Sequence, residues 1–274
     1  MSGDIVLSAG VRANLLQLQK TSDLITHTQT KLATGKRVNS ALDNPVNYFT
    51  AQGLQNRAGD LSNLLDSMSS AFNTIQAANN GITSITKLVQ SAQALVSQAQ
   101  QTSDTTVRQG LSTQFDQILS QITQLSGDSG FNGINLLDKN NSTDLTVTLN
   151  ERGTSSVTVA AVDFTANGLS VNTSVNNWGG TADITAASTD LTNALTTLRS
   201  QAQAFGSNLS TVQIRQDFTK AMVNTLQTGA DSLTLADSNE EGANLLALQT
   251  RQQLSTTALS LASQASQAVL RLFG

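Results

Sequence analysis

The chain has 274 residues, of which only 12% are charged and 115 are Ser, Thr, Gln or Asn, and its net charge is −4. It contains no cysteine and one histidine, which excludes disulfides, thiolate chemistry and multi-histidine zinc sites. The acidic balance argues against binding to nucleic acid, and no apolar run approaches the length of a membrane span. We therefore expect neither an enzyme nor a protein with a cofactor, a metal site or a membrane partner.

The N-terminal segment predicts an amphipathic helix with a coiled-coil repeat. Its first residues carry neither a positive stretch nor an apolar core, so we expect no cleavable Sec-type signal peptide. Further along, apolar residues recur at alternating steps of four and three, the spacing of a coiled-coil seam. His27 is interpreted as a polar helix position, because no second histidine or cysteine exists to share a ligand. The predicted stripe consists of Val11, Leu15, Leu18, Ile25 and Leu32, together with the polar residues Ser22 and Gln29 at two of its positions.

Three long helices are predicted in the middle of the chain, at about 45–100, 105–126 and 188–233. Asn44-Pro45 marks the start of the first, since Asn can cap a helix and Pro suits its first turn. Heptad seams persist through the first and third segments over many turns, which is typical of coiled-coil packing. The seam of the first segment consists of Leu61, Leu65, Met68, Phe72, Ile75, Asn79, Ile82, Thr86, Val89, Gln93 and Val96. Together these segments predict a mainly α fold in the form of an elongated rod.

A change of period between the second and third helices predicts a single β-hairpin at about 144–162. Leu145, Val147 and Leu149 alternate with polar residues, and the same alternation returns after a turn that contains Gly153. The Gly- and Asn-rich stretch at 172–185 is predicted to be a short surface connection.

The C-terminal segment carries apolar residues on more than one face. We expect a helix of this kind to have more than one neighbour. The pattern leaves two alternatives open: the ends order only when copies assemble, or they pack within one chain. Asp237, Glu240 and Glu241 are interpreted as the acidic start of this helix rather than a cation site. The predicted stripes contain Leu245, Leu248, Leu254, Leu259, Leu261, Val269 and Leu272.

Three motifs resemble bacterial flagellin, in matching order and across nearly the whole chain. The segment at 32–44 contains Gly35, Arg37, Asn39 and Ser40; a second motif is Phe131-Asn132-Gly133; and the segment at 262–273 reads ASQASQAVLRLF. Phe-Asn-Gly alone is weak evidence, whereas the three motifs together are specific. The resemblance implies a structural subunit that self-assembles into the flagellar filament; the alternative is a hook–filament junction protein of the same superfamily.

The resemblance also implies a domain arrangement, a location and partners. Residues 1–40 plus 240–274 would form a terminal coiled-coil domain, and 41–171 plus 186–239 an inner domain with the hairpin. Residues 172–185 stand where larger members insert outer domains, so a minimal flagellin is expected. The implied location is extracellular, and the implied partners are further copies, hook-associated and cap proteins, the flagellar type III export apparatus and an export chaperone.

One departure from the family concerns recognition by an innate immune receptor of animals. Many flagellins carry an Arg and a Glu on the first long helix, and this chain has Ser91 and Ala94 at the corresponding positions. A surface built on a guanidinium contact is lost when the Arg is replaced by Ser. We therefore expect weak or no recognition by that receptor.

Overall fold

The computed structural model describes the backbone from Ala9 to Phe273 and the side chains of residues 10–265, 267 and 268. This part is mainly helical with one hairpin, as predicted. Its contacts divide it into two units, which we call the terminal unit (Met1–Asn56 and Thr225–Gly274) and the central unit (Arg57–Asn224). The elements are α1 (Ala9–Thr34), α2 (Pro45–Gln101), α3 (Thr105–Asp128), β1 (Leu145–Thr148), β2 (Ser156–Val159), α4 (Thr181–Thr234) and α5 (Ser238–Phe273).

Side-chain caps define the ends of α2 and α3, close to the predicted limits. The Asn44 carboxamide oxygen accepts the Asn47 N–H at 3.0 Å, as expected for a helix start. The carboxylate of Asp104 accepts two backbone N–H groups in the first turn of α3. The buried Arg108 donates to the carbonyls of Ala99 and Thr102 at the end of α2, where a cation is favourable.

The core of the central unit lies along a heptad stripe on α2, which is continuous from Met68 to Ala99. The stripe pairs large and small apolar residues, which lets neighbouring elements approach closely. Gly81 adjoins this stripe at a close contact: a Cβ there would lie 2.6 Å from Cδ1 of Leu137 and 2.8 Å from Cβ of Ser129. Its buried members are Leu61, Met68, Ala71, Ile75, Ala78, Ile82, Ile85, Val89, Ala92, Val96 and Ala99.

The hairpin is present where the period-two pattern predicts it. β1 and β2 pair antiparallel, with Leu145 opposite Val159 and Thr148 opposite Ser156. Leu145, Val147 and Val159 are buried, so one face of the hairpin contributes to the core.

The stretch at 172–185 differs from the predicted surface connection. Trp178 is fully buried there and packs against Phe115 of α3, with ring centroids 5.0 Å apart. The Ser174 amide and hydroxyl both donate to Asp116, each at 2.7 Å. The turn Asn176–Trp178 has three successive positive φ angles, and α4 begins at Thr181, before the predicted residue 188. The tryptophan needs an apolar site, which draws this segment onto the helices.

The boundaries of the two units also differ from those predicted for the domains. The terminal unit extends to Asn56 and begins again at Thr225, so it includes the start of α2 and the end of α4. Part of the reason is local, since the backbone after α1 is hydrogen-bonded to the end of α4.

Candidate assembly surfaces

The terminal unit is built on the packing of α1 against α5. Lys31 near the end of α1 forms an ion pair of 2.9 Å with Glu241 near the start of α5, so the two helices run antiparallel. The facing residues are spaced by alternating threes and fours on both helices. We call them the inner stripe; they are Val11, Leu18, Thr21, Ile25, Thr28 and Leu32 of α1, and Glu241, Leu245, Leu248, Gln252, Ser255, Leu259 and Ala262 of α5.

The structure divides the predicted terminal stripes between two faces. Val11 and Ile25 are buried, and Leu18, Leu32, Leu245, Leu248 and Leu259 are half-buried, so these positions already have a partner within one chain. That these positions take part in self-assembly stays a prediction. Packing within one chain is therefore the alternative that the described residues support. Leu15, Leu254 and Leu261 are exposed, while the side chains of Val269 and Leu272 lie outside the described residues.

Five leucines outside the inner stripe remain uncovered on the same pair of helices. On α5, Leu246 is 67% exposed, Leu254 67% and Leu261 61%. On α1, Leu16 and Leu24 are about half exposed. We call these five leucines the outer stripe. The sequence pattern did not predict Leu16, Leu24 and Leu246. Each of them is directly next to a residue that it did predict.

The acidic cluster at the start of α5 has a structural explanation. The carboxylate of Asp237 accepts the N–H groups of Asn239 and Glu240, which caps the helix. Glu240 is exposed, as a solvated helix start would be, but Glu241 is buried against Lys31. The described residues contain no group of three or more potential metal ligands.

The first family motif forms a loop that fastens the end of α1 to the end of α4. Gly35 has a φ of +67°, which ends α1, and its carbonyl accepts the Ala236 N–H. The Arg37 amide donates to the carbonyl of Thr234 at 2.8 Å, and its guanidinium donates to that of Ser232. The motif is therefore a structural clasp within the terminal unit.

Asp43 closes the same loop. Its carboxylate accepts the backbone N–H groups of Asn39 and Ser40, each at 2.9 Å, together with the Ser40 hydroxyl. These donors, the Asn39 amide first, hold the pKa of Asp43 below its ordinary value of 3.8. The Asn39 side chain also donates to the carbonyl of Lys36.

The second family motif forms a tight turn after α3. Phe131 and Ile134 exchange both backbone hydrogen bonds, with Asn132 and Gly133 at φ of 51° and 80° between them. Positive φ at both central residues is the geometry that Asn-Gly favours. Phe131 remains partly exposed, so the motif fixes a turn in the central unit rather than filling its core.

Ser91 and Ala94 are both exposed on α2. They lie three residues apart on one face, where side chains can be reached together by a partner. The Ser91 hydroxyl donates back to the carbonyl of Lys87 in its own helix.

No described helix is both long and apolar enough to cross a membrane.

Comparison with known proteins identifies the family. The pattern described as the bacterial flagellin N-terminal helical region matches residues 10–142, and that of the C-terminal helical region matches residues 184–273. The chain belongs to the bacterial flagellin family. It is 30% identical over 267 residues to flagellins FljM and FljO of Caulobacter vibrioides, covering 97% of each chain. Flagellin A of Rhizobium meliloti is 42% identical over 76 residues, or 28% of this chain and 19% of that one.

These matches give this flagellin its general role as a structural subunit of the bacterial flagellar filament. A crystal structure of Bacillus cereus flagellin is also similar, with a TM-score of 0.48 and 22% identity over 57% of this chain and 88% of that one. The family is one of structural proteins that self-assemble into the extracellular filament. None of these matches favours the alternative of a hook–filament junction protein.

Proposed function

We propose that this flagellin polymerises by burying its outer stripe against neighbouring copies of the chain. The exposure of Leu254 and Leu261 is the observation that carries this proposal. Covering a fully exposed leucine contributes about 1.5–3 kcal/mol, so a row of them supplies a substantial driving force in every subunit. The inner stripe, already satisfied by α1 and α5, would hold the two helices in place for this contact.

The decisive variant is Leu254→Asp with Leu261→Asp. Carboxylates cannot be buried unpaired without a large cost, so we expect polymerisation to be abolished. Because both positions are exposed in the single chain, the monomer should keep its helix content. Polymerisation is measured by seeding with fragments of wild-type filaments, then by sedimentation and negative-stain microscopy.

The matched control is Gln253→Asp with Ser260→Asp, which adds the same charge one position earlier, at exposed polar residues. We expect this control to polymerise close to wild type. Normal filaments from the leucine variant, or equal failure of both variants, would contradict the proposal.

We also propose that the exposed positions Ser91 and Ala94 make this flagellin a weak ligand for the innate immune receptor. Purified monomer should give a weak response in a receptor reporter assay, since no guanidinium is available at residue 91. The double variant Ser91→Arg and Ala94→Glu should raise the response. Gln98→Arg with Gln101→Glu has the same spacing further along α2 and should not. A strong response to the unmodified chain would refute this expectation.

Further partners follow from the flagellin resemblance. We propose export through the flagellar type III apparatus, with an export chaperone covering the chain beforehand and hook-associated and cap proteins at the ends of the filament. The outer stripe supports the need for a chaperone, because exposed leucines favour premature association. Cells that lack the export apparatus should retain the protein inside, and secretion that continues in such cells would contradict this.

A further inference from the structure

The central unit contains an open cleft of about 410 Å³ between α2, the turn of the hairpin and α4. Three arginines line it, one from each element: Arg57, Arg152 and Arg215. Its apolar part includes Leu61 and the side chain of Phe218, which is 56% exposed. The cleft therefore combines three guanidinium groups with an uncovered aromatic ring.

The charges of the cleft are only partly neutralised. Arg57 forms a salt bridge with Glu151, whose pKa is lowered by its own backbone N–H and by the Arg57 side chain. Neither Arg152 nor Arg215 forms a salt bridge with any described residue, and both are exposed. The lining thus carries three positive charges and one negative, a net charge of +2.

This concentration is unusual for the chain. The sequence has nine arginines, and the cleft takes three of them. Since the whole chain has a net charge of −4, the residues outside the cleft lining have a net charge of −6. A second copy of the chain therefore offers carboxylates, whose charge is opposite to that of the cleft.

We propose that the arginine cleft binds exposed carboxylates of a second copy of this chain in the filament. Arginine suits this contact because its planar fork can bind a carboxylate with two hydrogen bonds. The contact joins two different surfaces, and such heterologous contacts can extend into an open helical polymer. The inference rests on the proposed function and adds a second, ionic surface to the outer stripe.

The test reverses the two unpaired charges, with Arg152→Glu and Arg215→Glu. The matched control is Lys87→Glu with Arg199→Glu, two exposed basic residues of the same unit that do not line the cleft. At low ionic strength we expect the cleft variant to raise the critical concentration for seeded polymerisation about tenfold or more. The control should stay within about twofold, and added salt should reduce the difference.

If charge reversal disturbs folding, the neutral variant Arg152→Gln with Arg215→Gln tests whether the cleft takes part in polymerisation. We expect it to raise the critical concentration about threefold. A cleft variant that polymerises like wild type, or equal impairment of the control, overturns the inference while leaving the outer stripe intact. Wild-type protein that fails to polymerise overturns the proposed function as well.

Binding of a small anion is the competing outcome. Wild-type monomer is titrated with citrate and with inorganic phosphate, followed by calorimetry. Submillimolar binding that the cleft variant loses, together with unchanged polymerisation, would assign the cleft to a small anion and overturn the proposal. Absence of such binding together with impaired polymerisation supports the second copy as the occupant.

Discussion

At the scale of single residues, Asp43 shows how one carboxylate shapes the loop of the first family motif. Hydrogen bonds from the Asn39 amide, then the Ser40 amide and hydroxyl, favour its ionised form. A carboxylate with a lowered pKa stabilises the fold above its unfolded pKa, and that stabilisation is lost as the pH falls through the folded value. The clasp between α1 and α4 should therefore weaken only in strong acid.

An NMR titration of the Asp43 carboxyl carbon tests this. We expect its midpoint below the ordinary 3.8, and the Asn39 and Ser40 amide signals should shift at the same pH, because their acceptor becomes protonated. In the variant Asp43→Asn this common step should disappear. A midpoint at or above 3.8 would show that the hydrogen bonds do not hold the ionised form.

At the scale of elements, the sequence pattern identifies the helices but assigns some of their faces wrongly. On α2 the predicted seam contains residues 61, 68, 75, 82, 89 and 96, all of which are buried. Between them it places Phe72 and Asn79, whereas the buried residues are Ala71 and Ala78. The predicted seam takes a step of four after residues 68, 75, 82 and 89, whereas the buried stripe from Met68 onward takes a step of three, so alternate positions fall one residue late.

The same shift explains the terminal helices. On α1 the inner stripe contains Thr21 and Thr28 rather than Ser22 and Gln29, and Thr21 donates its hydroxyl to its own helix at Gln17. A threonine satisfied in this way can be buried, which a count of apolar residues does not detect. On α5 two apolar stripes compete, and periodicity alone cannot decide which one faces α1. Contacts distant in sequence, such as Lys31 with Glu241, make that choice.

Gly81 provides a test at this scale, because its substitution separates close packing from helix propensity. We expect Gly81→Ala to destabilise the protein by about 1–3 kcal/mol, since the new methyl group overlaps Ser129 and Leu137. Gly206→Ala on α4 is the matched control: it has open space around it, and it should stabilise by about 0.5–1 kcal/mol. Denaturant unfolding measures both, and stabilisation by Gly81→Ala would contradict the close approach.

At the scale of the whole molecule, the two units differ in how much apolar material they bury. The central unit holds the large buried residues, including Trp178, Phe115, Phe205 and Met68. Among the described residues of the terminal unit, the buried apolar residues are Val11, Ile25, Val38, Ala51, Leu226 and Ala230. Hydrophobic stabilisation scales with the apolar area removed from water, so the terminal unit should be the less stable of the two. Covering the outer stripe on assembly would therefore stabilise the terminal unit, which is the less stable unit in the single chain.

We therefore predict that thermal unfolding of the monomer is not a single transition. Circular dichroism detects helices in both units, whereas fluorescence of the sole tryptophan, Trp178, reports the central unit, so its midpoint should lie above the first dichroism transition. Ile25→Ala should destabilise the terminal unit by about 2 kcal/mol or more and so lower the midpoint temperature of the first dichroism transition. It should leave the fluorescence midpoint unchanged. The matched variant Ile85→Ala, in the central unit, should lower the fluorescence midpoint. Coincident transitions that both variants shift together would instead show that the two units unfold as one.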